Sequence, residues 1–355
     1  MTKLWSPTIV GRLKLNHRLA MAPMTRSRAL PDGTPGELSS EYYAQRASLG
    51  LLISEGTQPS EDGQGYLMTP GVYTDAHIAG WKKVADRVHN AGSYLFIQLM
   101  HVGRMSHPDN TPHHRQPVAP SAIAPGVQMY TATGLQDIPV PRELSNEEIQ
   151  ATVDDFRKAA AAAIQAGADG VEIHGANGYI IHQFISENAN KRIDKYGGSI
   201  ENRARFAIEV ATAIAKEIGA DRTGFRISPG IPLGGIEEGQ SGPDVYRYLV
   251  SELAKLNLAY IHVLHGGNDE MLRDIRSSWP TTLLVNRAGR SREDISVDID
   301  AGLADIAPVG AWALANPDIV ERLKTGAPLN AADQSTFYGG DSHGYTDYPR
   351  MDEII

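Results

Sequence analysis

Eight short apolar runs recur along the chain, separated by longer segments patterned as amphipathic helices. The runs are LAMAPM (19–24), LLISEG (51–56), YLFIQL (94–99), GVEIH (170–174), TGFRIS (223–228), AYIHVL (259–264), TLLVN (282–286) and LADIAPV (303–309). Nearly continuous apolar strands are what a parallel sheet covered on both faces requires, because neither face meets water. The intervening pattern is helical. In DAHIAGWKKVADRVHNAG (75–92), Ile78, Trp81, Val84, Ala85 and Val88 share one face, and Gly92 can close the helix. Ser145 and Glu148 form a capping box before a helix that Gly167 ends. The segment 199–219 stops at Gly219, and 242–257 and 316–326 follow the same plan. Eight β-then-α units predict an α/β fold, a (β/α)8 TIM barrel, with a doubly wound open sheet as the alternative. Barrels of this kind run long as single domains, so residues 1–355 read as one domain.

Two segments exceed a minimal barrel. PTIVGRLKLNHR (7–18) reads as an N-terminal hairpin that plugs the barrel bottom. Residues 106–144 are Pro-rich and not helical, and VQMYTATGLQDIPVP (127–141) within them reads as a β-hairpin turning at Ala132-Thr133-Gly134. An insertion of this length in a compact domain is usually functional. It follows the third strand, so it belongs to the C-terminal face as a lid.

Composition removes several chemistries. The chain has no cysteine, which excludes disulfides, thiolate zinc sites, cysteine nucleophiles and Cys-ligated iron–sulfur clusters. A formal net charge of −9 without a basic run argues against nucleic acid and anionic membranes as partners. No apolar stretch approaches the ~18 residues of a spanning helix, and the first five residues lead into a turn rather than a signal peptide. A cytoplasmic protein, monomeric or homodimeric, is the expectation.

Polar side chains collect where the strands end, on the rim where barrels of this type place their sites. The first strand ends in Pro23-Met24-Thr25, the second in Glu55-Gly56-Thr57, and the third carries Gln98 and His101. The fifth carries Arg226, the sixth His265, the seventh Asn286-Arg287 and the eighth Gly310. The fourth is followed by HGANGY, with His174, Asn177 and Tyr179 inside six residues. An imidazole N–H and an amide N–H₂ one turn apart are two neutral donors that suit an oxygen gaining negative charge. A phenol with an ordinary pKa near ~10 stays protonated at neutral pH and can give a proton. Gly175 and Gly178 let the backbone turn and leave room for a planar ligand. A metal-dependent hydrolase or lyase built on His174, His182 and His101 is the competing reading, but no HExxH is present and the rim is rich in amides and arginine. No strand ends in the lysine of a Schiff-base aldolase, and no GxGxxG follows a strand.

These motifs resemble the Old Yellow Enzyme family of FMN-dependent ene-reductases. The stretches MAPMTRSRA (21–29), EGTQPS (55–60), QLMHVGRMSHP (98–108), HGANGYIIHQFIS (174–186), DKYGGSIENRARF (194–206), FRISP (225–229), ANPDIVERL (315–323) and FYGGDSHGYTDYP (337–349) carry the likeness in order along nearly the whole chain. The resemblance implies non-covalent FMN on the C-terminal face, NADPH as hydride donor, and activated alkenes as substrates. Thr25 resembles the hydroxyl beside flavin O4. Pro23, Met24 and Gly56 resemble the backbone lining of the ring, and Gln98 the amide that reads its pyrimidine edge. Arg226 resembles the cation beside N1, where reduced flavin is negative. His174 and Asn177 resemble the pair that grips the substrate oxygen, Tyr179 the proton donor to the α carbon, and Tyr66 and Tyr338 aromatic walls of the substrate pocket.

The likeness breaks in two places. Many members have Trp where this chain has Met100, so a flexible thioether replaces a flat wall. Many have Gly-Arg at the end of the eighth strand, with that Arg on the FMN phosphate. Here the residues are Gly310-Ala311-Trp312. Backbone N–H groups at Gly310 and Ala311 can still hold a phosphate. The loop after the seventh strand, with Arg287, Gly289 and Arg290, is the expected source of the missing charge, Arg287 foremost.

Overall fold

All eight apolar runs become neighbouring strands of one parallel sheet in the computed structural model, which describes residues 2–353. The chain opens with an antiparallel hairpin, β1 (Thr8–Val10) and β2 (Leu13–Leu15). Barrel strands β3 (Leu19–Met21), β4 (Leu51–Ile53) and β5 (Tyr94–Leu99) follow. The insertion then contributes β6 (Val118–Ala119), β7 (Gln128–Thr131), β8 (Gly134–Asp137) and β9 (Arg142–Glu143). The barrel resumes with β10 (Gly170–His174), β11 (Thr223–Ile227), β12 (Tyr260–Leu264), β13 (Thr282–Asn286) and β14 (Ala307–Val309). The order runs β14-β3-β4-β5-β10-β11-β12-β13. A parallel bridge between Leu284 and Ile306, with Val285 N donating to Ile306 O at 3.2 Å, closes the ring. The barrel is the predicted one.

Three strands, β3, β4 and β14, are shorter than their runs by more than one residue. After Met21 the chain meets Pro23, which has no N–H for a ladder. Ahead of β14, Leu303 and Ala304 both donate to Asp298 O, so 303–305 turn rather than extend. The helices are α1 (Glu37–Gln45), α2 (Asp75–Asn90), α3 (Asn146–Gln165), α4 (Ile180–Ile185), α5 (Ile200–Ile218), α6 (Gly242–Ala254), α7 (Asp269–Ser278), α8 (Val297–Asp300), α9 (Ala311–Ala315) and α10 (Ile319–Thr325). The Ser145–Glu148 capping box forms, and Gly92, Gly167 and Gly219 take positive φ just past their helices, as only Gly does at no steric cost. Helix α1 escapes the periodicity argument because the residues it buries are Ser39, Ser40, Tyr42 and Tyr43. No helix among the described residues is long and apolar enough to cross a membrane.

The hairpin does plug the barrel bottom. Val10, Leu13 and Leu15 join Phe96, Tyr260, Leu284 and Ile306 in one buried cluster, and Thr282 Oγ1 donates to Ile9 O at 2.7 Å. Each such aliphatic side chain contributes about 1.5–3 kcal/mol through burial. At the hairpin turn Gly11 has φ +55, and a Cβ there would lie 2.0 Å from Asp221 O. The insertion forms its hairpin with Ala132-Thr133 as the turn, Gly134 being already paired with Thr131. Met129 and Ile138 from it pack with Met100, Val102 and Met105, against Tyr66 and Tyr179.

Candidate active site

A cavity of about 590 Å³ opens at the C-terminal ends of the strands. Its first wall is the loop after β3, with Pro23, Met24 and Thr25. Glu55 holds that loop, accepting the N–H of Arg26 at 2.9 Å and of Ser27 at 3.1 Å. The same loop fastens the C-terminal segment. Arg26 donates to the carbonyls of Phe337 (2.9 Å) and Gly344 (2.8 Å), and Arg28 to that of Asp341 (2.9 Å). Tyr42 stacks on Tyr345 at 4.3 Å, with Arg46 3.9 Å over Tyr42 and Arg28 4.6 Å over Tyr345. This clamp places Phe337 and the largely exposed Tyr338 at the cavity edge.

The second wall is the turn after β10. His174 is buried, and its Nδ1 accepts the Ala176 N–H at 3.3 Å, which leaves the proton on Nε2. Burial, with the charges of Arg226, His262 and His182, holds its pKa well below the ordinary value, so the ring is neutral. Asn177 sits at φ +57, a left-handed conformation that Asn tolerates, with its N–H on Ser228 Oγ at 2.9 Å. Its Oδ1 is buried without a partner. The Tyr179 hydroxyl is 3.1 Å from that of Tyr66, and its ring meets His174 edge-on at 4.8 Å. Burial first, then Tyr66, raises the Tyr179 phenol well above its usual range. The glycines serve the protein rather than a ligand. A Cβ at Gly178 would lie 2.4 Å from Leu233 O, and one at Gly175 2.5 Å from the Phe225 ring.

Gln98 and Arg226 line the cavity from β5 and β11. Gln98 Nε2 donates to Glu172 at 2.8 Å, and Arg226 Nε is buried without a partner. The far end is formed by Arg287, Gly289, Arg290, Gly310 and Ala311. Arg287 is already engaged. It makes a bidentate pair with Asp298 (2.8 and 2.9 Å) and reaches Asp269 at 3.1 Å. Arg290 also pairs with Asp298.

Thus Pro23, Met24, Thr25, Gln98, Met100, His174, Asn177, Tyr179, Arg226, Arg287, Gly289, Gly310, Ala311 and Tyr338 share one cavity. Gly56 and Tyr66 stand behind it. A Cβ at Gly56 would lie 2.4 Å from Met100 Sδ, and the Tyr66 hydroxyl is 3.1 Å from that of Tyr179. His101 and His265 are structural. His101 Nδ1 accepts from Gly103 N at 3.1 Å, and His265 lies 3.0 Å from Asp269. Phe337, Trp312 and Leu264 also line the cavity as apolar or aromatic walls, which no polar residue at a strand end marks, although Phe337 precedes Tyr338 in FYGGDSHGYTDYP. No group of three or more His, Cys, Asp or Glu side chains that could hold a metal occurs among the described residues, so the hydrolase reading gains no support.

The buried histidines carry a stability prediction. Burial lowers His101 to about 4. The unfolded chain therefore binds a proton below pH ~6.5 that the folded chain refuses. Stability is unaffected above that pH and falls as pH drops from ~6.5 toward 4, by up to about 3 kcal/mol from this residue. Melting temperature measured across that window should decline, and His101→Gln should flatten the decline. An equal slope in both proteins contradicts the assignment.

Neutral donors beside a phenol, with an amide and a guanidinium in the same cavity at the mouth of a parallel barrel, suit an oxidoreductase site for a planar redox cofactor. The orphaned Arg226 Nε and the unpaired carbonyl end of Gln98 fit a polar, planar group that offers both acceptors and an N–H and carries negative charge, such as FMN. The comparisons agree. The family described as NADH:flavin oxidoreductase / NADH oxidase matches residues 3–330. The chain is 40% identical to 12-oxophytodienoate reductase 2 of Arabidopsis thaliana over 98% of its own length and 96% of that protein. It is 41% identical to chanoclavine-I aldehyde reductase of Penicillium roqueforti, over 98% and 96% of the two chains. Among solved structures, morphinone reductase superposes with a TM-score of 0.94 at 41% identity, covering 99% of this chain and 97% of that one. The Old Yellow Enzyme homologue from Zymomonas mobilis gives 0.94 at 36% identity, over 98% and 99%. The chain belongs to the NADH:flavin oxidoreductase family, that of Old Yellow Enzyme, and is an oxidoreductase that uses a flavin and a nicotinamide.

Proposed function

We propose that this protein is an FMN-dependent ene-reductase that takes NADPH as donor and reduces α,β-unsaturated carbonyl and nitro compounds. Bound non-covalently, FMN supplies the hydride chemistry, with the nicotinamide as source and the alkene β carbon as destination. The residues of this chain do the rest. Pro23, Met24 and Thr25 would shape the ring's bed, with Gly56 leaving room for Met100 behind it, while Gln98 would read its pyrimidine edge and Arg226 its N1 side. His174 and Asn177 hold the substrate oxygen and stabilise the charge that gathers there. Tyr179 delivers the proton to the α carbon. Met100 and Tyr338 bound the substrate space, and Tyr66 backs it by holding the Tyr179 hydroxyl. The observation that carries this reading is the neutral His174 ring held 4.8 Å from the Tyr179 ring, with Asn177 between them in the chain. In the test, 2-cyclohexenone is supplied under nitrogen with NADPH or NADH in parallel. Cyclohexanone should form one for one with NADPH consumed, faster than with NADH. Consumption without product contradicts the reading, and equal rates contradict the donor assignment.

For the phosphate, Gly289, Gly310 and Ala311 offer backbone and Arg287 offers charge. Because Asp298 and Asp269 already share that charge, its net worth is at the low end of a charged hydrogen bond. Arg287→Ala should raise the FMN dissociation constant about tenfold. Unchanged affinity in a fluorescence titration would remove Arg287 from the site.

A further inference from the structure

A carboxylate lies buried inside the barrel, beside one of the residues assigned to the flavin edge. Glu172 is fully buried on β10, opposite Gln98 on β5. One of its oxygens, Oε1, accepts from Gln98 Nε2 at 2.8 Å. The other, Oε2, accepts from the Tyr260 hydroxyl at 3.0 Å and from His262 Nδ1 at 2.9 Å. Gly224 makes this possible, because a Cβ there would lie 2.2 Å from Tyr260 Cζ and push that ring out of place. Arg226 is paired in register with His262 on one side and His174 on the other. Below this polar layer is the apolar floor of Phe96, Leu284 and the hairpin. A lone buried carboxylate is costly, and an apolar residue would fill the space with less penalty. Three donors converging on one acid, one of them a cavity-lining amide, ask for a role at the cavity.

We infer that Glu172 is a positioning residue, which orients the Gln98 amide and offsets the charge of Arg226 at the flavin edge. The inference rests on the flavin reading above. It has two consequences. Because Gln98 Nε2 is committed to Glu172, the Gln98 carbonyl is the end left for the cavity, and it accepts an N–H from the bound ring. The second consequence is electrostatic. Burial opposes ionisation of Glu172, but His262, Arg226 and Gln98 outweigh it and hold the carboxyl below its ordinary range. The negative carboxylate then opposes the positive guanidinium in a low-dielectric interior, where each acts strongly. Arg226 alone would bind the negative, reduced flavin very tightly and make it a poor reductant. Glu172 limits that preference and keeps the bound cofactor reactive toward alkenes.

The test uses the purified holoenzyme, with the FMN midpoint potential followed against a reference dye and FMN affinity measured separately. Glu172→Gln keeps the shape and removes the charge. The affinity ratio of reduced over oxidised FMN should rise about tenfold, which is about 30 mV upward for a two-electron couple. Tyr260→Phe keeps the charge and removes one donor, leaving the carboxylate less satisfied. The ratio should fall about threefold. Opposite signs are something a merely structural role would not produce. Shifts of the same sign, or no shift in either variant, overturn the inference. Should Glu172→Gln not fold, Tyr260→Phe decides alone, and an unchanged or raised ratio overturns it. A wild-type protein that binds no FMN would instead bring down the flavin reading itself.

Discussion

Replacing Tyr179 with Phe should slow reoxidation of the reduced enzyme by 2-cyclohexenone about 10²–10⁴-fold, the usual worth of a positioned general acid. Reduction by NADPH should stay within about twofold of wild type, since no proton from Tyr179 enters that step. The expectation rests on geometry. The phenol is held by the Tyr66 hydroxyl at 3.1 Å and by edge-on contact with His174, and Phe preserves that packing. Its raised pKa keeps the proton in place until a carbanion-like carbon needs it. Tyr66→Phe should give a smaller loss in the same half-reaction, because it frees the Tyr179 hydroxyl without removing it. Stopped-flow absorbance separates the two half-reactions. A Tyr179→Phe enzyme that loses both equally has a disturbed fold, and one that loses neither draws its proton from water.

Truncating the oxygen-holding pair comes next in size. His174→Ala and Asn177→Ala should each lower kcat/KM for the enone about 10²–10³-fold, as loss of one oxyanion donor does. The His174 ring is locked by the Ala176 N–H, and the Asn177 backbone is held by Ser228 in its left-handed conformation, which fixes where its amide starts. The double variant should fall short of the product of the two single losses, because the donors act on one oxygen. A phenol that binds in the enone's place should lose affinity in the same order. Full additivity in the double variant would mean that the two side chains serve different atoms.

Much of this architecture was legible in the chain. Eight apolar runs with glycine-ended helices between them leave few folds besides a barrel, and the hairpin and capping box follow from local rules. The rim residues stood out because Gln98, His174, Asn177 and Arg226 interrupt or end apolar strands. Their roles came with the family resemblance, since spacing alone does not say what an amide contacts. Other features were hidden for physical reasons. Glu172 is one charged residue inside GVEIH, and its partners Tyr260 and His262 lie about ninety positions away, joined to it only by the barrel's register. The segment 336–345 looks like a polar loop, yet Arg26, Arg28 and Arg46 bury its carbonyl and aromatic contacts. Arg287 looked like free charge after β13, and its pairing with Asp298 could not be seen from eleven positions away.

The central claim is that this cavity passes reducing equivalents from a nicotinamide to an activated alkene through bound FMN. The visible spectrum of the purified protein, taken without air before and after NADPH and then 2-cyclohexenone, tests it most directly. A yellow protein that bleaches with NADPH and recovers its colour with the enone is the expected result. A protein that stays colourless after incubation with FMN, or one that bleaches and never recovers with enone or nitroalkene, would contradict the account.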